Sequence, residues 1–185
     1  MVLYIHGFAS SGKATKAKLT SKYFRNKCKV VVPSLPVEPY KAFQKLEEVV
    51  HKHRGLNIIG SSLGGFYALL LSGKYNLKVA LINPALFPHL QLKEYVGVNT
   101  NYSTGEKFVW EQSYLYQLKV LKQKYFNLYK SENIMLLLSC DDDLINFRKT
   151  MKTLNSDTIV IMNNSGHEFS RYREVLPFVE KFFGR

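Results

Sequence analysis

The chain is short of cysteine, of acidic residues and of long apolar runs, and each shortage closes off a class of protein. Its two cysteines, Cys28 and Cys140, lie far apart, which leaves no disulfide framework and no metal-ligand spacing. Both border strand-like runs and read as small buried side chains. No apolar run approaches the roughly 20 residues that a membrane-spanning helix needs, so membrane insertion is not expected. The opening run Met1 to Ile5 has no basic region before it and halts at His6-Gly7. It reads as a first strand and not as a signal peptide, which makes cytoplasmic residence the default expectation.

Acid is scarce: 14 Asp and Glu face 26 Lys and Arg, a formal net charge of +12. Such an excess suits nucleic acid, anionic membranes or acidic substrates. The cations, however, are spread over 13–29, over 119–130 and singly elsewhere, with no RNP, KH or zinc-finger pattern among them. Solvated basic faces are the reading adopted, and nucleic acid is not an expected partner. The chain has four aspartates, and three of them are consecutive: Asp141, Asp142 and Asp143.

What the chain does have is core. A hydrophobic content of 46% over 185 residues is enough for one domain, here 1–185. Strands are predicted near 2–6, 29–33, 56–60, 78–83, 134–139 and 158–162. These runs are nearly continuous in Val, Ile and Leu, as in a sheet covered on both faces. Helices are predicted near 14–26, 39–54, 64–74, 145–154 and 171–183. The alternation gives an α/β class: a mostly parallel sheet of about six strands with helices on both faces.

One crossover, 84–133, is too long for a single helical connection. Tyr114, Leu118, Leu121, Tyr125 and Leu128 mark one face of a helix over 114–128 that packs on the sheet. The stretch 85–110, without clear periodicity, is read as a cap or lid near the site.

Gly60-Ser61-Ser62-Leu63-Gly64-Gly65 follows a strand and opens a helix. Read as G-x-S-x-G, it puts Ser62 on a tight strand-to-helix turn with a helix N-terminus aimed at it. A serine hydroxyl is a weak nucleophile and needs a base, and the base needs an orienting acid. In the chain order serine, acid, histidine, only His167 of the five histidines lies after the acidic loop. The acid follows strand 134–139, where Asp142-Asp143-Leu144-Ile145 fits a D-x-φ-φ loop pattern; Asp142 is the choice and Asp141 the alternative. Two backbone N–H groups, those of Phe8 and Leu63, are the candidates for binding an oxyanion. His6 is read as a brace for the Phe8 loop.

Two other readings compete. Gly7-Phe8-Ala9-Ser10-Ser11-Gly12-Lys13 satisfies a phosphate-cradling G-x-x-x-x-G-K, yet Ala14 stands where a Mg²⁺-binding hydroxyl is needed. A non-catalytic binding module on the same scaffold is the other.

The chain resembles the YqiA-like esterase family of small bacterial α/β-hydrolases. The residues that carry the resemblance are Tyr4-Ile5-His6-Gly7-Phe8 with Ser10-Ser11, Pro33-Ser34-Leu35-Pro36, and Ile59-Gly60-Ser61-Ser62-Leu63-Gly64-Gly65-Phe66-Tyr67. Asn83-Pro84-Ala85, Tyr102-Ser103-Thr104-Gly105, Leu118-Lys119 and Gly166-His167-Glu168-Phe169 continue it nearly to the end. The resemblance implies a serine esterase that hydrolyses small-molecule carboxylic esters, with thioesters of acyl carriers such as acyl-CoA as a further class. It implies no metal and no organic cofactor, and a sheet without the two leading antiparallel strands of larger relatives. Where the family pattern has Gly-Asp at the acid loop, this chain has Asp141-Asp142.

Overall fold

The structure, a computed structural model, describes residues 1–53 and 55–184. Its strands are β1 (Val2–Ile5), β2 (Val30–Val31), β3 (Asn57–Ser61), β4 (Val79–Ile82), β5 (Gly97–Thr100), β6 (Lys107–Trp110), β7 (Ile134–Ser139) and β8 (Thr158–Met162). Its α-helices are α1 (Thr15–Phe24), α2 (Pro39–Lys52), α3 (Leu63–Tyr75), α4 (Pro88–Gln91), α5 (Gln112–Tyr125), α6 (Phe147–Thr153) and α7 (Tyr172–Phe182). Six strands make one sheet in the order β2-β1-β3-β4-β7-β8, and every pairing in it is parallel. The C-terminal ends of β1, β3, β4, β7 and β8 therefore open onto one side of the sheet, where loops of such folds form sites.

The continuous apolar runs divide cleanly between two cores. Leu3, Ile5, Ile58, Val79, Leu81, Ile134, Leu136 and Leu138 face one side, where α2 and α3 cover them. Val2, Tyr4, Ile59, Ala80, Ile82, Met135 and Leu137 face the other, against α1 and α7. Alternate residues thus reach opposite faces, and both faces are covered, so the run must be apolar throughout. Each Leu or Ile so buried is worth roughly 1.5–3 kcal/mol. The edges show the converse: Ile159 and Ile161 of β8 are exposed, and β2 is two half-buried residues where five were predicted.

Helix α2 starts with Pro39 in its first turn and buries Ala42, Phe43, Leu46 and Val50 at helical spacing. Its predicted end at residue 54 lies outside the described residues. Helix α3 is buried all along 63–72 because it lies between the sheet and a further layer of helix. That further layer is α5, which packs on α2, α3 and α4 and not on the sheet as predicted. Its buried residues are Leu115, Leu118, Leu121 and Tyr125. Leu128 is exposed, since the chain leaves the α-helix for a 3-10 turn at Phe126.

The stretch predicted to lack regular structure contains the antiparallel β5–β6 hairpin, paired from Gly97↔Trp110 to Thr100↔Lys107. Four-residue strands are too short to show a period in the sequence. The cysteines also differ from expectation: Cys28 is half-buried and Cys140 is exposed.

Candidate active site

The site is assembled from five loops at the C-terminal edge of the sheet. Ser62 sits between β3 and α3 at φ 54°, ψ −118°, a strained conformation for a residue with a Cβ. Its N–H donates to the Ile82 carbonyl (2.9 Å), and its own carbonyl accepts from Gly65 (2.9 Å) and Ala85 (3.1 Å). The strain is therefore held in place from both sides. Close approach explains the glycines: a Cβ on Gly64 would run into the Ile5 carbonyl, and one on Gly60 into the Gly64 carbonyl.

His167 follows β8 in a loop with three left-handed residues, Asn164, Gly166 and Phe169. Its Nε2 lies 3.2 Å from Ser62 Oγ, and its Nδ1 lies 2.9 Å from Asp142 Oδ2. An ionised carboxylate only accepts, so the proton resides on Nδ1 and Nε2 is left to accept from the serine. The Asp142 side chain is fully buried. Its other oxygen accepts from the Leu144 and Ile145 N–H groups, both at 2.8 Å. The three side chains form one hydrogen-bonded chain.

Asp141 points elsewhere. Its carboxylate accepts from Ser139 Oγ (2.7 Å), Ser165 N (3.1 Å) and Gly166 N (3.2 Å), tying the end of β7 to the histidine loop. Led by the Ser139 hydroxyl, these donors hold its carboxyl below the usual aspartate range. Asn83, buried at φ 39°, is a second brace with no assigned role in the sequence reading. Its Nδ2 donates to the Gly166 and His167 carbonyls (3.1 and 3.2 Å), and its Oδ1 accepts from Ser139 N (2.8 Å). An asparagine tolerates a positive φ between a strand end and Pro84, which is the signal the sequence held.

A third brace comes from α1, whose Lys16 Nζ donates to the Glu168 carbonyl (2.6 Å) and carboxylate (3.0 Å). Burial works to raise the Glu168 carboxyl, but this lysine outweighs it and the net shift is downward.

On the opposite side, Gly7 brings the loop after β1 against Ser62: a Cβ there would lie 3.3 Å from the serine Cβ. The N–H groups of Phe8 and Leu63 donate to no protein acceptor among the described residues. His6 behind them is buried. Its Nε2 accepts from Leu35 N (3.1 Å), so its Nδ1–H donates to the Gly7 carbonyl (2.9 Å). Burial lowers its pKa and keeps it neutral, against the opposing pull of the Gly7 carbonyl.

The Gly7–Lys13 stretch shows no open phosphate cradle. Gly12 N donates to Ser34 Oγ, Lys13 N to Ser11 Oγ and Ala14 N to the Ser11 carbonyl. Nor, among the described residues, do three or more His, Cys, Asp or Glu side chains gather where a metal would fit. No helix among them is long and apolar enough to cross a membrane.

Ser62 and His167 open into a cavity of about 660 Å³ that Phe8, Leu63, Leu92 and Tyr95 also line.

The fold recurs in solved structures. Est1E from Butyrivibrio proteoclasticus, with ferulic acid bound, superposes with a TM-score of 0.72 at 14% identity, over 100% of this chain and 89% of that one. Mouse alpha/beta hydrolase domain-containing protein 10 gives 0.70 at 11% identity, over 99% and 89%. A variant of tomato methylketone synthase I with β-ketoheptanoate gives 0.68 at 8% identity, over 98% and 97%. At these identities the likeness is one of fold, and the fold is that of the α/β-hydrolases. The model of the "Uncharacterised protein family (UPF0227)" matches residues 1–184, so the chain belongs to that family, the YqiA family its motifs resemble.

Proposed function

We propose that the chain is a serine esterase that hydrolyses carboxylic esters, and acyl thioesters by the same route, through an acyl-enzyme. The observation that carries the reading is the single hydrogen-bonded run Asp142–His167–Ser62 at the mouth of a cavity. Ser62 Oγ attacks the acyl carbonyl while His167 Nε2 takes its proton, and Asp142 holds the imidazolium through Nδ1–H. The Phe8 and Leu63 N–H groups, unused among the described residues, receive the oxyanion. His167 then gives the proton to the departing alcohol or thiol. A water, deprotonated by the same nitrogen, attacks the acyl carbon; the acyl–Ser62 bond breaks, the acid leaves and Nε2 returns the proton to Ser62 Oγ.

The fold supports a hydrolase, and the esterase among the structural neighbours is in keeping with it. The segment 84–133 serves as the cap: Gln91, Leu92, Tyr95, Tyr102 and Ser103 from it line the cavity. A nucleotide-binding use of Gly7–Lys13 has less support, since three of the amides it needs are already engaged.

The test is a fluorophosphonate. An adduct located on Ser62 by peptide mass spectrometry, and lost in His167→Ala, is the expected result. Folded protein that takes no label, or takes it at Ser61, would overturn the reading and favour a binding module. With Ser62 labelled, Ser62→Ala should cost on the order of 10⁴–10⁶ in kcat. A chain-length series of esters and thioesters then ranks the substrates.

A further inference from the structure

The loop that carries Phe8 receives little hold from the sheet it leaves. Its Ala9 sits at φ 50°, a left-handed conformation that an alanine adopts only when its surroundings insist. The restraint comes from the β5–β6 hairpin, about ninety residues away in sequence. Tyr102 N donates to the Ala9 carbonyl at 2.8 Å, Asn101 Nδ2 donates to the Ser10 carbonyl at 2.9 Å, and the Ser10 and Ser103 hydroxyls meet at 3.2 Å. The Phe8 ring itself is gripped edge-on by Tyr95, Phe108 and Trp110, with centroids 5.4, 5.7 and 5.0 Å away.

Asn101 joins the two halves of this contact. Its Oδ1 accepts from Ser103 N (2.9 Å) and Thr104 N (3.2 Å), which shapes the hairpin tip. Its Nδ2 reaches out of the tip to the Ser10 carbonyl. Its own backbone N–H donates to the Glu106 carbonyl (2.8 Å), and its carbonyl accepts from Gly105 N (2.8 Å). One amide side chain thus shapes the turn with its oxygen and holds the Phe8 loop with its nitrogen. Aspartate keeps the first function and lacks the second.

We propose that the hairpin tip is a clamp on the oxyanion loop and that Asn101 is its positioning residue, holding the Phe8 N–H where the developing negative charge arises. This rests on the serine-esterase reading of the site and adds to it why a segment read as a lid is instead bonded to the loop it covers. A donor displaced by about an ångström no longer meets the oxyanion, while the ground-state substrate barely registers the change. The clamp therefore acts on kcat and not on KM.

The experiment compares wild type, Asn101→Asp and Asn101→Ala with one ester substrate and a trifluoromethyl ketone, whose hemiketal anion occupies the oxyanion position. Expected for Asn101→Asp is a fall in kcat of about 10- to 100-fold, part of what loss of a whole oxyanion donor costs. KM should stay within about twofold, and the ketone's inhibition constant should rise in parallel with the loss in kcat/KM. A kcat within about twofold of wild type in both variants would overturn the proposal. So would a raised KM with unchanged kcat, because Asn101 would then touch substrate instead of the loop. Should neither variant fold, Phe108→Leu removes one of the three rings that grip Phe8 and must show the same kcat-only pattern, at a smaller size. Wild-type protein without ester turnover would remove the serine-esterase reading and this proposal with it. Wild-type turnover with unaffected variants removes the clamp alone.

Discussion

At the residue scale, three side chains, Asp141, Asp142 and His6, divide the work of the site between them. Asp141 and Asp142 are adjacent in sequence but bond to different partners: one to the histidine loop's backbone, the other to the imidazole. Asp142→Ala should therefore cost about 10⁴ in kcat, as loss of an orienting carboxylate does elsewhere, and should also lower Tm because it frees the Leu144 and Ile145 N–H groups. Asp141→Ala should lower Tm and cost kcat only about tenfold, because it frees Ser165 and Gly166 instead of the base. Kinetics separate them; a greater kcat loss for Asp141→Ala would reverse the assignment. His6 carries a pH prediction. Its buried imidazole has a pKa below the unfolded value of about 6.5, so the unfolded chain takes up the proton first as pH falls. The stability it lends is complete above about pH 6.5 and is lost progressively below it. Wild-type Tm should accordingly fall more between pH 7.5 and 5.0 than that of His6→Gln, which cannot titrate. Equal falls would mean that His6 is not the sensitive group.

At the scale of elements, the elbow depends on how close α3 lies to β1 and β3. The Cβ of a Gly64→Ala variant would meet the Ile5 and His6 carbonyl oxygens, backbone at the end of an interior strand that cannot yield. Overpacking of this kind costs about 3 kcal/mol, or about 6–12 °C in Tm for a domain this size. Thermal melting beside Gly55→Ala, which meets no atom within 4 Å and carries only the roughly 1–2 kcal/mol cost of an alanine at φ 65°, isolates the overpacking. A melting point for Gly64→Ala no lower than that of Gly55→Ala would show that the helix can move away. The same geometry explains what could be read from the chain alone. The strands were legible because both faces of the sheet are buried, and that burial writes an unbroken apolar run. The elbow was legible because only glycine fits where helix meets strand. The choice of Asp142 rested on the residues after it, and those residues, Leu144 and Ile145, donate to its free oxygen. The hairpin was not legible: its strands are four residues long, and the residues that hold it, Ala9 and Ser10, are remote in sequence. Nor was the layer in which α5 lies, because an apolar helical stripe is the same whether it meets a sheet or two other helices. Contacts between distant segments leave no local period to read.

At the scale of the whole molecule, the excess of positive charge has a consequence for stability. Acids are few, and half of the 14 have local work. Glu38 pairs with Lys41, Glu47 with Lys74, Glu168 with Lys16, Glu174 with Arg171 and Glu180 with Lys27, while Asp141 and Asp142 serve the site. A formal charge of +12 remains because 26 cations, most of them lysines spread over the chain, outnumber the 14 acids. Exposed pairs such as Lys41–Glu38 contribute roughly 0–1 kcal/mol each and weaken with salt. Self-repulsion of the like charges also weakens with salt, and it acts on every cation at once, over a Debye length that falls from about 30 Å at 0.01 M to about 8 Å at 0.15 M. The second effect should win. Raising NaCl from about 0.01 to 0.3 M should therefore raise Tm by a few degrees, most steeply in the low range where the Debye length shrinks fastest. Because sulfate also strengthens apolar burial, chloride is the salt to use. A Tm that falls with chloride would mean that the five ion pairs outweigh the repulsion, and that the basic surface is an arrangement of pairs and not an unbalanced field.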